Sequence, residues 1–135
     1  MDDALRTLVR TRAKERCEYC RVPQRLFEYA FHLEHVTARQ HGGLSVAENL
    51  AFACDRCNFH KGTNLSAVDP LTGQIVLLFH PRTQVWSEHF AWSNAEIVGE
   101  TPQGRATAAL LQMNAVRRLQ IRTSLIVRGW RPDAE

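Results

Sequence analysis

Near the start of the chain the apolar residues Leu5, Leu8 and Val9, followed by Arg12, recur at helical spacing. The spacing predicts a helix over residues 2–16, capped by Asp2 or Asp3. Arg10, Arg12, Lys14 and Arg16 put positive charge at its end, which complements a helix C-terminus. From Glu28 to Val36 aromatic and aliphatic residues alternate with polar ones, which is the period of a strand. His41-Gly42-Gly43 breaks that pattern into a polar loop, and Asn49 to Ala53 reads as a second strand. A helix is expected from Asp55 through Asn58-Phe59-His60-Lys61, closed by Gly62.

Further along, Asp69 to Gly73 is a turn and Gln74 to Phe79 an apolar strand. Trp86, Phe90 and Trp92 lie in a stretch whose pattern favours neither helix nor strand. Ala95 to Val98 is a short strand, and Thr101-Pro102 supplies the cap and first position of a helix. Ala106, Ala109, Leu110 and Met113 share one face of that helix. A last helix, Asn114 to Val127, is expected to bury Val116, Leu119 and Ile126. It would then show Arg117, Arg118 and Arg122 to solvent, as a solvated face or a nucleic-acid track.

Composition narrows the class. A chain of 135 residues predicts one domain, 1–135, with a core over about 13–66 and an extension over about 67–135. Hydrophobic residues at 44% and charged residues at 23% fit a globular protein rather than a disordered one. No apolar run approaches the roughly 20 residues that span a bilayer. Met1-Asp2-Asp3 is acidic and opens no signal peptide, so a cytoplasmic location is expected, with no membrane partner. A net charge of +3 accommodates a polyanionic partner without demanding one.

The cysteines change the picture more. All four fall in two pairs, Cys17-x-x-Cys20 and Cys54-x-x-Cys57. Paired C-x-x-C knuckles in a reducing compartment predict a tetrahedral, structural Zn²⁺ rather than disulfides. The separation of the knuckles exceeds ribbon spacing, so strand, loop, strand and helix are folded inside the zinc clip.

That insert holds the candidate chemistry in Glu34-His35, Asn49 and Cys57-Asn58-Phe59-His60-Lys61-Gly62. A histidine titrates near neutral pH and can take a proton from water. A carboxylate and an amide oxygen are hard ligands, suited to Mg²⁺ or Mn²⁺. The run C-x-x-C, E-H-V-x-x-x-x-x-G-G, N-L and C-x-x-C-N-x-x-K-G, over residues 17–62, resembles the HNH endonuclease family. Leu78 to Arg82, Trp86, His89-Phe90 and Gly104 to Thr107 also resemble the tails of small stand-alone bacterial HNH proteins.

The resemblance implies an α+β fold: a zinc-stapled ββα-metal (His-Me finger) core with flanking helices and a small C-terminal α/β extension. It implies a metal-dependent endonuclease acting on DNA, double-stranded rather than single-stranded. His35 takes the role of general base, Glu34 and Asn58 hold the catalytic cation, and Asn49 holds the loop that orients His35. Glutamate stands here where the family usually has aspartate, and asparagine where its name implies histidine. Arg39 is a candidate phosphate clamp and Lys61 a candidate phosphate contact.

Strict alternation points Glu34 and His35 to opposite strand faces, so a shared site requires the strand to end or bulge there. If it runs straight, His32 becomes a competing ligand. His60 could reach the metal and His41 the substrate, while His80 and His89 pack by Trp86 and Phe90 or line a cleft. The competing function is a zinc-organised nucleic-acid-binding module without turnover. A weaker third is a protein-interaction domain scaffolded by the zinc.

Overall fold

A computed structural model describes residues 1–134. They form a mixed α/β structure with four α-helices and three two-stranded antiparallel sheets. The chain folds as two compact units. The first comprises Met1–Leu65 and His80–Gln84, and the second Ser66–Phe79 and the chain from Val85 on. Among the described residues no helix is long and apolar enough to cross a membrane.

The first unit opens with helix α1 (Asp3–Arg12), whose first turn is capped by Asp2 Oδ1 accepting from Leu5 N at 2.8 Å. The helix stops short of the expected Arg16 because Lys14 and Glu15 both take positive φ, at 57° and 53°. Only Val9 of its apolar positions is fully buried, whereas Leu8 is exposed. Arg12 donates to the carbonyls of Ala47 at 2.6 Å and Leu50 at 2.5 Å, tying α1 to the chain entering β2 (Leu50–Ala53).

Strand β1 (His32–His35) pairs antiparallel with β2, from His32↔Ala53 to His35↔Leu50. β1 is shorter than the alternation from Glu28 suggests. Phe27, Tyr29 and Phe31 instead form an aromatic cluster, in which Phe31 meets Phe52 with ring centroids 5.4 Å apart. Gln24 fixes that bend by donating to Tyr29 O and accepting from Phe31 N. All four residues of β2 are buried, so both its faces are packed. Helix α2 (Asp55–Lys61) follows, with Cys54 as its N-cap, and it ends at Gly62 with φ 52° as expected.

The second unit holds two hairpins, β3 (Ser66–Val68) with β4 (Ile75–Leu77), and β5 (Phe90–Ser93) with β6 (Glu96–Gly99). β3 is not among the expected strands, since three residues carry too little period to read. The stretch that favours neither helix nor strand is both: a 3-10 turn over Trp86–Glu88 runs into β5. Helix α3 (Pro102–Leu110) starts as expected, with Thr101 Oγ1 accepting from Gly104 N and Pro102 in its first turn. The buried residues here include Phe79, Trp86, Phe90, Ile97, Leu111 and Met113.

Helix α4 (Val116–Val127) overturns the expected face. Arg118 and Arg122 are buried, and Val116 is 71% exposed. Arg118 donates to Leu111 O at 2.7 Å, and Arg122 donates to Ala95 O at 2.7 Å and Asn114 Oδ1 at 3.0 Å. These guanidiniums satisfy loop carbonyls that would otherwise be buried without donors. They form no solvated face or nucleic-acid track.

Candidate metal centre and active site

The two knuckles bring their sulfurs together. Ligand atoms of Cys17, Cys20, Cys54 and Cys57 all lie within 4.8 Å of one another, and all four side chains are buried. None is disulfide-bonded, and Cys20 and Cys54 sulfurs stand 3.6 Å apart, far beyond the roughly 2.05 Å of a disulfide. A tetrahedron of zinc–sulfur bonds of about 2.3 Å places sulfurs about 3.8 Å apart, so the set fits Zn²⁺. Backbone N–H groups of Tyr19 and Cys20 approach Cys17 Sγ at 3.4 Å, and that of Cys57 approaches Cys54 Sγ at 3.5 Å. Such donors stabilise thiolate. Hydrogen bonding among the sulfurs raises the Cys54 thiol and burial raises that of Cys57, and a bound cation would oppose both by favouring thiolate.

The first knuckle also reaches β1. Tyr19, fully buried between its two cysteines, donates its hydroxyl to Glu34 Oε2 at 2.8 Å. Glu34 Oε1 lies 2.6 Å from Lys61 Nζ, a close ion contact rather than an aligned hydrogen bond. Lys61 Nζ also donates to Val36 O at 2.8 Å and, at longer range, His35 O at 3.4 Å. Burial pushes the Glu34 carboxyl above its ordinary range, while Lys61 and Tyr19 pull it back. Lys61 is therefore no phosphate contact. Its side chain is buried and its donors are spent inside the domain.

His35 faces the other way. β1 stays in register through His35↔Leu50 without a bulge and ends there, leaving Glu34 buried and His35 partly exposed. His32, two residues back from Glu34 on the same face of the strand, is exposed. His35 Nε2 lies 2.8 Å from Ser45 Oγ, which also accepts from Arg39 Nη2 at 3.1 Å. Burial, then Arg39 and Lys61, lower the imidazole's affinity for a proton, which favours the neutral form.

The loop carrying Arg39 and Ser45 is tied at both sides. Asn49 accepts from Thr37 N at 2.8 Å and donates to the carbonyls of Thr37 and Leu44, both at 2.9 Å. Gly43 lies so close beneath that a Cβ there would stand 1.7 Å from Thr37 O, so the strand-to-strand turn admits no side chain. His41 Nε2 meets Thr63 O at 3.1 Å, joining the loop to the end of α2.

Asn58 lies one turn before Lys61, hence on the same side of α2, and α2 packs on β1. It is partly exposed. Among the described residues the four cysteines are the one group of three or more His, Cys, Asp or Glu placed to hold a metal. A second ion would rest on few protein ligands, as Mg²⁺ does. The oxygens of Glu34, Val36 and His35 already surround a cation, the Lys61 ammonium, so this cradle has the chemistry for positive charge. A divalent ion on Glu34 has to share or displace Lys61.

The remaining candidate histidines each have a packing or hydrogen-bond partner. His80 Nδ1 accepts from Arg82 N at 3.2 Å, and Arg82 pairs with buried Glu18. His89 packs on Phe79 with centroids 5.7 Å apart and bonds the α3 cap Thr101 at 2.7 Å through Nδ1. His60 packs edge-on to Phe59. Ser45 and Tyr19 join the site without any signal in the sequence, because a loop serine and an aromatic inside a knuckle have no distinguishing spacing.

No curated protein and no solved structure matches the chain. One family model does, over residues 17–64. That span starts at the first knuckle and takes in β1, the Asn49-braced loop, β2 and α2. The model that matches it is that of the HNH endonuclease family.

Proposed function

We propose that the protein is a metal-dependent endonuclease that hydrolyses phosphodiester bonds in DNA, with His35 as general base. One observation carries the reading: the segment matching the HNH endonuclease family supplies a half-buried, neutral-favoured imidazole on a braced loop–hairpin frame. The hairpin and α2, held by the zinc knuckles, would form a ββα-metal core, and the chain from about 67 on its extension.

In this mechanism His35 accepts a proton from water as the oxygen attacks phosphorus. The P–O3′ bond breaks, leaving a 5′-phosphate and a 3′ oxygen that takes its proton from solvent. Asn58 and Glu34 would hold the cation, Glu34 by exchanging or sharing its Lys61 partner. When bound, Mg²⁺ or Mn²⁺ supplies charge stabilisation to the phosphoryl oxygens and the leaving group. Arg39, exposed beside Ser45, would meet a phosphate, with the loop that carries it held by Asn49.

Incubating the zinc-loaded chain with supercoiled plasmid tests this. Nicked circles are expected with Mg²⁺ or Mn²⁺ and none with EDTA. DNA retention without cleavage in any metal would favour the zinc-organised binding module instead.

A further inference from the structure

Resting on the reading of His35 as base, the geometry points to Ser45 as a positioning residue that fixes the imidazole's rotamer and tautomer, with Arg39 as the brace that holds Ser45. An imidazole on a strand end can rotate about its side-chain bonds, and in its neutral form the proton can sit on either nitrogen. A base needs one nitrogen free and aimed. Ser45 Oγ sits 2.8 Å from His35 Nε2, and Arg39 Nη2 approaches the same oxygen at 3.1 Å.

A serine oxygen has two lone pairs and one hydrogen. If both lone pairs are used, Arg39 and His35 Nε2–H both donate to it. The imidazole proton is then held at Nε2, and Nδ1 keeps its lone pair for water. If the hydroxyl donated to Nε2 instead, the ring proton would sit on Nδ1 and neither nitrogen could act as base. Catalysis requires the first arrangement.

The frame around Ser45 suits this role. Asn49 holds the loop at Thr37 and Leu44, next to Ser45, and Gly43 fixes how closely the turn packs. Arg39 is exposed, so substrate phosphate and Ser45 can share its guanidinium. Substrate binding and orientation of the base would then be linked through one side chain.

Three variants of the full zinc-loaded chain test the proposal: Ser45→Ala, Ser45→Thr and His35→Ala. Plasmid cleavage is read as separate kcat and KM, and ¹⁵N shifts of the His35 ring, assigned by its loss in His35→Ala, report the tautomer. Ser45→Ala is expected to lower kcat roughly 10- to 100-fold with little change in KM, the usual cost of losing an orienting partner. The His35 shifts should move from a single Nε2–H form toward a mixture, and Ser45→Thr should restore both readouts. Unchanged kcat and unchanged ring shifts in Ser45→Ala, with His35→Ala inactive, would overturn the role of Ser45 and leave the base intact. Full activity of His35→Ala would instead sink the base, while the ring shifts would still decide whether Ser45 sets the tautomer.

Discussion

Lys61 Nζ lies 2.6 Å from Glu34 Oε1, with both side chains almost wholly buried, so an α2 ammonium neutralises the carboxylate next to the proposed base. The relationship holds β1 to α2, because the same ammonium bonds the carbonyl of Val36. It also sets a condition on the proposed catalytic ion: to bind Glu34 it would have to compete with Lys61.

Removing one member of a buried pair leaves the other charge uncompensated, typically at about 3–5 kcal/mol. Lys61→Met is therefore expected to lower the melting temperature sharply, and Glu34→Gln/Lys61→Met to recover part of the loss. Thermal denaturation of the unaltered chain, Lys61→Met, Glu34→Gln and the double variant gives the coupling directly. Strictly additive losses would mean the pair is not coupled.

Glu34→Gln keeps one oxygen, for either Tyr19 or Lys61, turns an amide N–H toward the other and surrenders the negative charge. If Glu34 ligates the catalytic ion, half-maximal cleavage needs at least roughly tenfold more Mn²⁺. Should the Mn²⁺ requirement stay where it was, Glu34 belongs to Lys61 alone.

The zinc centre is expected to be part of folding. Each chain should carry one tightly held Zn²⁺, and Cys57→Ser should lose it together with the ordered structure of residues 17–64. Metal analysis beside circular dichroism checks both. Cobalt substitution should give the visible absorption of tetrahedral thiolate coordination, and its absence would argue against the four-sulfur site.

Gly43→Ala is expected to cripple cleavage with the zinc retained. The new methyl would meet Thr37 O and Asn49 Nδ2, at 1.7 and 2.8 Å if nothing moved. The loop carrying Ser45 and Arg39 has to shift. Cleavage and bound zinc measured on the same preparation separate this from general unfolding.

In the second unit, buried Asp69 accepts two bonds from Arg105, at 2.9 and 2.8 Å, and others from Leu71 N and Thr72. Arg105 holds its carboxyl well below the usual range. A depressed folded-state pKa gives stability that is present above the ordinary carboxylate pKa and lost as pH falls through the folded one. Asp69→Asn should therefore lower the melting temperature at pH 7, and the gap to the unaltered chain should narrow in strong acid.

Much of this was legible in the sequence because it rests on strong local signals. C-x-x-C spacing announces a sulfur cluster, Gly62 ends α2, and Thr101-Pro102 starts α3. What stayed hidden was tertiary. Arg118 and Arg122 look like solvent residues until the carbonyls they satisfy are seen. Lys61 reads as a phosphate ligand until Glu34 is found beneath it. Alternation points Glu34 and His35 to opposite faces unless the strand ends or bulges there, and β1 ends at His35 without a bulge, with Glu34 buried and His35 partly exposed. Which neighbour each side chain would find depends on the packing of α2 and the loop, and no local pattern encodes that.

The most direct test of the account compares metal-dependent plasmid cleavage by the unaltered chain and by His35→Ala, with equal zinc content and melting temperature established first. Loss of nearly all Mn²⁺-dependent nicking on that single change is the predicted result. Cleavage by the variant at the full rate, with contaminating nucleases excluded, would contradict it.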